Sequence, residues 1–310
     1  MLKKTGIRFL IFLAILISGY YLMYFLLFNI KIQNKPIIKA LQNEIVLQKN
    51  VYHKVYNEFD FNSKYDIVFL GSSHCYRCLD PKIFEKENLK VYNLGSSSQT
   101  PLNSYSILKK IKAHTLSILL EVYPVIGDLT GKESFMSMAA SNMDFSLVSD
   151  MAFELNDLRC YNILSILPIL NNYEKTQSYD SIGFYKGYFE TKDSIKTPIK
   201  YESYKLSPKN MDVQLNYIKK IVKLCKESNI KLAFVFAPVP SEQKVMNEEY
   251  YINGITQICA DDRMCFFNYG RLHNLNSKMN FCDDDHLNKS GVELFNKRLI
   301  SEMKSLSFFK

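Results

Sequence analysis

Residues 9–28, FLIFLAILISGYYLMYFLLF, run for twenty positions without a charge. A helix of that length rises roughly 30 Å, the thickness of a bilayer's hydrocarbon core. A cleaved signal peptide would carry a shorter apolar region of about 7–15 residues, followed by small residues at the cleavage site. This run is longer and continues as LLFNIKIQNK with no Ala-x-Ala-like site, so the expectation is an uncleaved anchor, with tail and transmembrane helix over residues 1–30. Lys3, Lys4 and Arg8 precede the run, and Lys31, Lys35 and Lys39 follow it, so local charge gives no orientation. A short basic tail ahead of a single anchor is the signal-anchor pattern, which places the C-terminal domain outside the cytoplasm.

After the anchor, residues 31–62 read as a polar, helical or irregular stalk, and a domain occupies 63–310. YDIVFLG (65–71), LKVYNLG (89–95) and LSILLEVYP (116–124) are short apolar strands, the first two ending in glycine. DVQLNYIKKIVKLCKESN (212–229) has helical periodicity with Asp212 as cap, and leads into the strand IKLAFVFAPVP (230–240). A helix near 243–258, the strand MCFFNYG (264–270) and a final helix from Asn288 to Met303 complete the series. Unbroken apolar strands alternating with amphipathic helices predict a parallel sheet covered on both faces, an α/β fold in three layers. Residues 125–210 interrupt the alternation. They read as an inserted region beside the sheet, with helices in SFMSMAASNMDFSLVSDMAF and YNILSILPIL and an exposed aromatic loop in SYDSIGFYKGYFETKD.

Composition closes off two classes. With 47% hydrophobic residues and 21 each of Tyr and Phe, the chain is too apolar to be disordered. Its net charge of +8 is spread thinly, with no basic stripe interleaved with aromatics and no zinc-finger or helix-turn-helix signature, so nucleic acid is not an expected partner.

Chemistry concentrates at three places. The first strand runs into Gly71-Ser72-Ser73-His74 and the second into Gly95-Ser96. Serines there sit beyond the strand ends near helix N-termini, where unpaired N–H groups face a bound oxyanion. The plain alternative is that both are ordinary turns with capping serines. The third place is Asp283-Asp284-Asp285-His286-Leu287-Asn288, ahead of the last helix. One turn brings the Asp283 carboxylate onto the His286 ring, leaving the other ring nitrogen to take a proton from Ser73. Binding of a hard cation and simple helix capping are the alternatives at that segment.

Neighbouring residues carry weaker signals. His74 abuts the nucleophile and reads as a supporting or substrate-contacting group rather than the base. Arg77 reads as solvated on its helix, with contact to an anionic substrate as the alternative. Cys75 and Cys78 have C-x-x-C spacing without a second pair to complete a zinc site, and read as half-buried helix residues or a redox dithiol. The seven cysteines are an odd number, so they cannot all pair within one chain.

With these residues in hand, the chain resembles the SGNH (GDSL-like) hydrolase superfamily. More narrowly it is similar to membrane-anchored members of the DltD and alginate O-acetylation type. Gly71-Ser72-Ser73 matches the family's first block and implies Ser73 as nucleophile. Gly95 matches the oxyanion-hole glycine of the second block. Asp283 and His286 match the final Asp-x-x-His, and residues 287–291 match the Leu-Asn-x-x-Gly that follows. The third block's asparagine is missing, since that strand ends Leu120-Glu121-Val122-Tyr123-Pro124. Glu121 is open to three roles: holding a sugar hydroxyl, holding His74, or capping a turn. The resemblance implies a flavodoxin-like SGNH domain performing serine-dependent acyl transfer, as O-acetyltransferase or acetylesterase, on a cell-surface polysaccharide or other envelope glycan. It implies a multi-span membrane protein as acyl donor, and neither cofactor nor metal. A non-catalytic assembly or binding protein of envelope polysaccharide biogenesis is the alternative.

Overall fold

The computed structural model describes residues 2–29, 31–32, 35–36, 55–56, 58–140, 145–156, 183–191, 201, 203–271 and 275–309. The apolar run lies in one helix, Leu2–Asn29. Its stretch Lys4–Met23 has the length and composition of a single membrane crossing or a signal sequence, and none of it is buried. Two short strands, β1 (Lys31–Ile32) and β2 (Lys35–Pro36), pair antiparallel just beyond it.

Five strands build the central sheet: β3 (Ile67–Leu70), β4 (Val91–Asn93), β5 (Ser117–Glu121), β9 (Lys231–Phe236) and β11 (Cys265–Asn268). All neighbours are parallel, and the order is β11-β9-β5-β3-β4. Numbered along the chain this is the 2-1-3-4-5 arrangement of doubly wound sheets, in which the winding reverses between β3 and β5. Loops leaving the two strands there diverge and open a crevice, so the exits of β3 and β5 are where such a fold accommodates a ligand.

Side-chain alternation shows why the sheet must be covered twice. Val68, Leu70, Ile118, Leu120, Leu232 and Phe234 face one core, together with the helices Pro101–Ile111, Pro208–Glu227 and Glu248–Asp262. Ile67, Phe69, Val91, Leu119, Ala233 and Val235 face the other, against Pro81–Glu85 and Lys289–Ser305. The helices Lys132–Ala140 and Phe145–Leu155 contribute Phe135, Leu147, Val148 and Met151 to the first core. The result is a mixed α/β fold with a parallel sheet flanked by helices.

Several local expectations are corrected. The long helix starts at Pro208, with Ser207 at the cap position, because proline at the first helical position sacrifices no hydrogen bond. Asp212 therefore lies inside the helix and accepts a bond from the Tyr250 hydroxyl at 2.6 Å. The helix expected from 243 begins at Glu248, since residues Lys244–Met246 form β10, paired with β8 (Ser203–Lys205). The expected stalk ends in packed structure: Val55, Tyr56 and Phe59 join the first core, and the Tyr92 hydroxyl donates to the Val55 carbonyl at 2.6 Å. Part of the expected aromatic loop is a hairpin of β6 (Phe184–Tyr185) and β7 (Tyr188–Phe189), whose Tyr188 is buried. It docks through the Asn93 N–H, which donates to the Lys186 carbonyl at 3.0 Å. The segment YNILSILPIL falls outside the described residues.

Candidate active site

The chain leaves β3 through Gly71, whose φ of +145° is one that glycine adopts freely. A Cβ at that position would stand 2.6 Å from Glu121 Cβ, so the residue also permits the close approach of β5. Ser72 then caps the helix Ser73–Cys78, accepting the His74 N–H on its side chain at 3.2 Å. Glu121, at the end of β5, is 4% exposed and gathers three donors: Ser72 N–H at 3.0 Å, Ser72 Oγ–H at 2.7 Å and Tyr123 N–H at 2.6 Å. A buried carboxylate is tolerable only when its oxygens are so bonded. Of its three open roles it takes turn capping, and in doing so clamps the two strand exits together at the reversal of the sheet.

Ser73 is half-buried at the first position of its helix, where an N–H has no intrahelical acceptor. Across from it lies the loop 282–288. A bridge between Phe281 and Leu287, both buried, closes the loop at its base. The Asn288 side chain caps the final helix through the Gly291 N–H at 3.1 Å and donates to the Met279 carbonyl at 2.7 Å. Gly291 is needed because a Cβ there would fall 2.2 Å from the Asn280 carbonyl oxygen. Inside that frame Asp283 Oδ1 accepts the backbone N–H groups of Asp285 at 3.2 Å and His286 at 2.7 Å, which folds the loop into a tight turn.

The turn delivers the His286 ring to Ser73. Its Nε2 lies 2.8 Å from Ser73 Oγ, and its Nδ1 lies 3.0 Å from both oxygens of Asp283. Asp285, which the sequence offered only as part of the acidic run and not as a partner of the ring, places Oδ1 2.6 Å from the same Nδ1. The other oxygen of Asp285 is 3.4 Å from His74 Nε2. His74 is 1% exposed and lies between Tyr123, at a ring separation of 4.1 Å, and His286 at 4.9 Å. Burial disfavours charge on His286, but hydrogen bonds and attraction from Asp283 and Asp285 outweigh it and raise the imidazole to about 9. The same contacts overcome burial in the opposite sense at the carboxyls, holding Asp283 below its ordinary value and Asp285 far below it.

Gly95 is placed differently from its expected role. Its N–H donates to Asn93 Oδ1 at 2.9 Å and so is engaged inside the protein. Asn93, fully buried at the end of β4, also receives the Cys75 thiol at 3.3 Å and donates to the carbonyls of Cys75 at 2.9 Å and Leu79 at 3.0 Å. An amide withdrawn from water needs all these partners, and the neighbouring glycine N–H is one of them. Arg77 is not a solvated helix residue either. Its Nη1 meets Asp283 Oδ2 at 3.3 Å. Cys75 and Cys78 are fully buried free thiols rather than half-buried ones, and burial pushes both well above the ordinary thiol range. By ligand type, His74, Asp285 and His286 suit a divalent cation, their donor atoms lying within 4.8 Å of one another. Both oxygens of Asp285 already face ring nitrogens, however.

No family model matches the chain, and neither does any curated protein. Solved structures do show likeness. A protein assigned as lipolytic and of the G-D-S-L family, from Desulfitobacterium hafniense DCB-2, is 10% identical, with 76% of this chain and 97% of that one covered at a TM-score of 0.41. A protein from Lactobacillus plantarum is 12% identical, with coverages of 78% and 98% and a TM-score of 0.42. A GDSL-like lipase from Bacteroides thetaiotaomicron VPI-5482 is 12% identical, with coverages of 85% and 97% and a TM-score of 0.36. At these scores the likeness carries no inference about substrate or mechanism.

Proposed function

We propose that this chain is a serine-dependent acyl-transfer enzyme, an O-acetyltransferase or acetylesterase acting on a cell-surface polysaccharide or other envelope glycan. The observation that carries the reading is the continuous contact from Ser73 Oγ through the His286 ring to carboxylate oxygens, at 2.8 Å on one side and 3.0 Å on the other. Ser73 Oγ attacks the acyl carbonyl as its proton passes to His286 Nε2. The Ser73 N–H receives the negative charge that develops on the carbonyl oxygen. Collapse expels the donor's oxygen, which leaves with the proton from His286 and an acyl group on Ser73. A water or a glycan hydroxyl then gives its proton to His286 and attacks the acyl-serine, releasing acid or acylated glycan and restoring the serine hydroxyl.

The glycan rests on the family resemblance, and so does the acyl donor, a multi-span membrane protein. The N-terminal helix would hold the domain at the outer face of the membrane beside such a partner. His286 sets the pH range: with the imidazole at about 9, about one molecule in a hundred carries the neutral base at pH 7. One observation favours a non-catalytic binding role instead. The Gly95 N–H is taken by Asn93 and the segment 120–124 that ends β5 holds no asparagine, so charge stabilisation falls to Ser73 N–H.

The test is to incubate the intact 310-residue chain, in detergent micelles, with p-nitrophenyl acetate near pH 9 and map the product by mass spectrometry. An acetyl group on the Ser73 peptide early in the incubation, lost with time to water and faster when a soluble glycan acceptor is present, is the expected result. Turnover with no adduct, unaffected by Ser73→Ala, sinks the reading.

A further inference from the structure

Asp283 and Asp285 both reach the Nδ1 of His286, yet they are committed very differently. Asp283 builds the turn: Oδ1 accepts two backbone N–H groups, and Oδ2 is shared with Arg77 at 3.3 Å. Its side chain is 38% exposed, so water competes for what remains. Asp285 is 20% exposed, and its two oxygens face two imidazoles, His286 Nδ1 at 2.6 Å and His74 Nε2 at 3.4 Å.

His74 in turn has little freedom. It lies against Tyr123 and His286, and its Nδ1 is buried without a partner. A proton on Nδ1 would bury a donor with nothing to receive it, whereas a proton on Nε2 points at the Asp285 carboxylate. Nδ1 is unpartnered in either tautomer, so the choice is made at Nε2, where only the protonated nitrogen bonds the carboxylate and holds Asp285 against His286.

We infer that Asp285, held by His74, is a second positioning carboxylate for His286, and that Asp283 and Asp285 substitute for one another in fixing the base. The inference rests on the acyl-transfer reading for its consequence in catalysis, but the hold on His286 stands apart from it. The charged and titratable groups around the ring are Asp283 and Asp285 on its own loop, with Asp284 farther out, and His74 and Arg77 on the helix that bears Ser73. Tyr123, at the exit of β5, lies behind His74. In an ordinary triad, neutralising the single carboxylate costs about 10⁴-fold. Two interchangeable carboxylates give grossly non-additive losses instead.

Two measurements on the intact chain in micelles decide this. The first follows His286 by NMR in histidine-labelled protein, with its signal assigned from a His286→Gln variant. Asp285→Asn is expected to lower the ring's titration midpoint by at least about one unit from its position near 9. An unmoved midpoint in a folded variant overturns the inference. The second is the rate of fluorophosphonate labelling at a pH above each midpoint. Asp283→Asn and Asp285→Asn are each expected to lose no more than about 10-fold, and the double variant about 10⁴-fold, well beyond the product of the two. A loss in Asp283→Asn equal to that of the double variant, with Asp285→Asn labelling like the wild type, also overturns it. In the Asp283→Asn background, His74→Phe keeps an aromatic ring but removes the donor, and should approach the double variant, with His74→Gln partly restoring the rate. Equal behaviour of Phe and Gln would remove His74 from the arrangement. Should the wild type itself fail to label, the acyl-transfer reading falls, and the NMR titration still decides whether Asp285 holds the base.

Discussion

Two neighbouring parallel strands end in the same three residues. β3 runs into Gly71-Ser72-Ser73 and β4 into Gly95-Ser96-Ser97, and the structure spends the two triplets in opposite ways. At the first, Ser72 is clamped by Glu121, the helix begins at once, and Ser73 is left facing His286. At the second, the Gly95 N–H is drawn inward by Asn93. The Ser96 hydroxyl is buried against Gln99 and Ser134, each at 2.7 Å. Ser97 and Ser98 give their hydroxyls to the two oxygens of Glu133, and the helix starts only at Pro101. The identical triplets acquire different chemistry from what the rest of the chain brings opposite them: a histidine 213 residues beyond Ser73 in one case, the helix Lys132–Ala140 in the other. A serine after a strand is thus a position, and only its partners make it a nucleophile.

That contrast can be broken experimentally, most forcefully by alanine at the third residue of each triplet. Ser73→Ala should abolish fluorophosphonate labelling, a loss of at least about 10⁴-fold, whereas Ser97→Ala should stay within about twofold of wild type. Next in size is pH. Because the base must be neutral, labelling should climb about tenfold per unit below the midpoint and level off near 9, for a gain of about 100-fold over pH 7. Stability should run the other way. The folded His286 value lies above the ordinary imidazole value of 6.5, so this residue's contribution is complete below 6.5 and is lost as pH rises through about 9. Thermal melts from pH 6 to 10 check that decline.

Smaller effects sharpen the comparison. Glu121→Gln puts an amide where three donors converge, and should lower stability by about 1–3 kcal/mol and labelling by about 10-fold, read by chemical denaturation and by probe rate. Glu133→Gln disturbs only the second triplet. It should cost about 0.5–1 kcal/mol and leave the labelling rate unchanged.

Much of this architecture was legible in the sequence because its determinants are local. Short apolar runs such as IVFL and the helical period of 208–227 specify elements without reference to distant residues. Ser73, Asp283 and His286 stood out because each adjoins a recognisable strand end or helix start. What was hidden depends on long-range company. Nothing near Gly95 says that Asn93 will claim its N–H, since that follows from burying the Asn93 amide beneath Cys75 and Leu79. Tyr188 read as exposed because the hairpin's burial comes from docking on β4. Asp285 was not matched to the His286 ring because helical spacing makes adjacent side chains diverge, while the turn folded by Asp283 bends the loop enough for Asp285 and His286 to meet.

Acyl transfer by this chain requires that Ser73 be activated in the folded protein. The most direct measurement is fluorophosphonate labelling of the intact protein in detergent at pH 9, with the modified peptide identified by mass spectrometry and His286→Ala run alongside. Modification at Ser73, absent from the His286→Ala variant, is the expected result. Well-folded protein that takes up no probe, or takes it up equally without His286, would contradict a working serine–histidine pair.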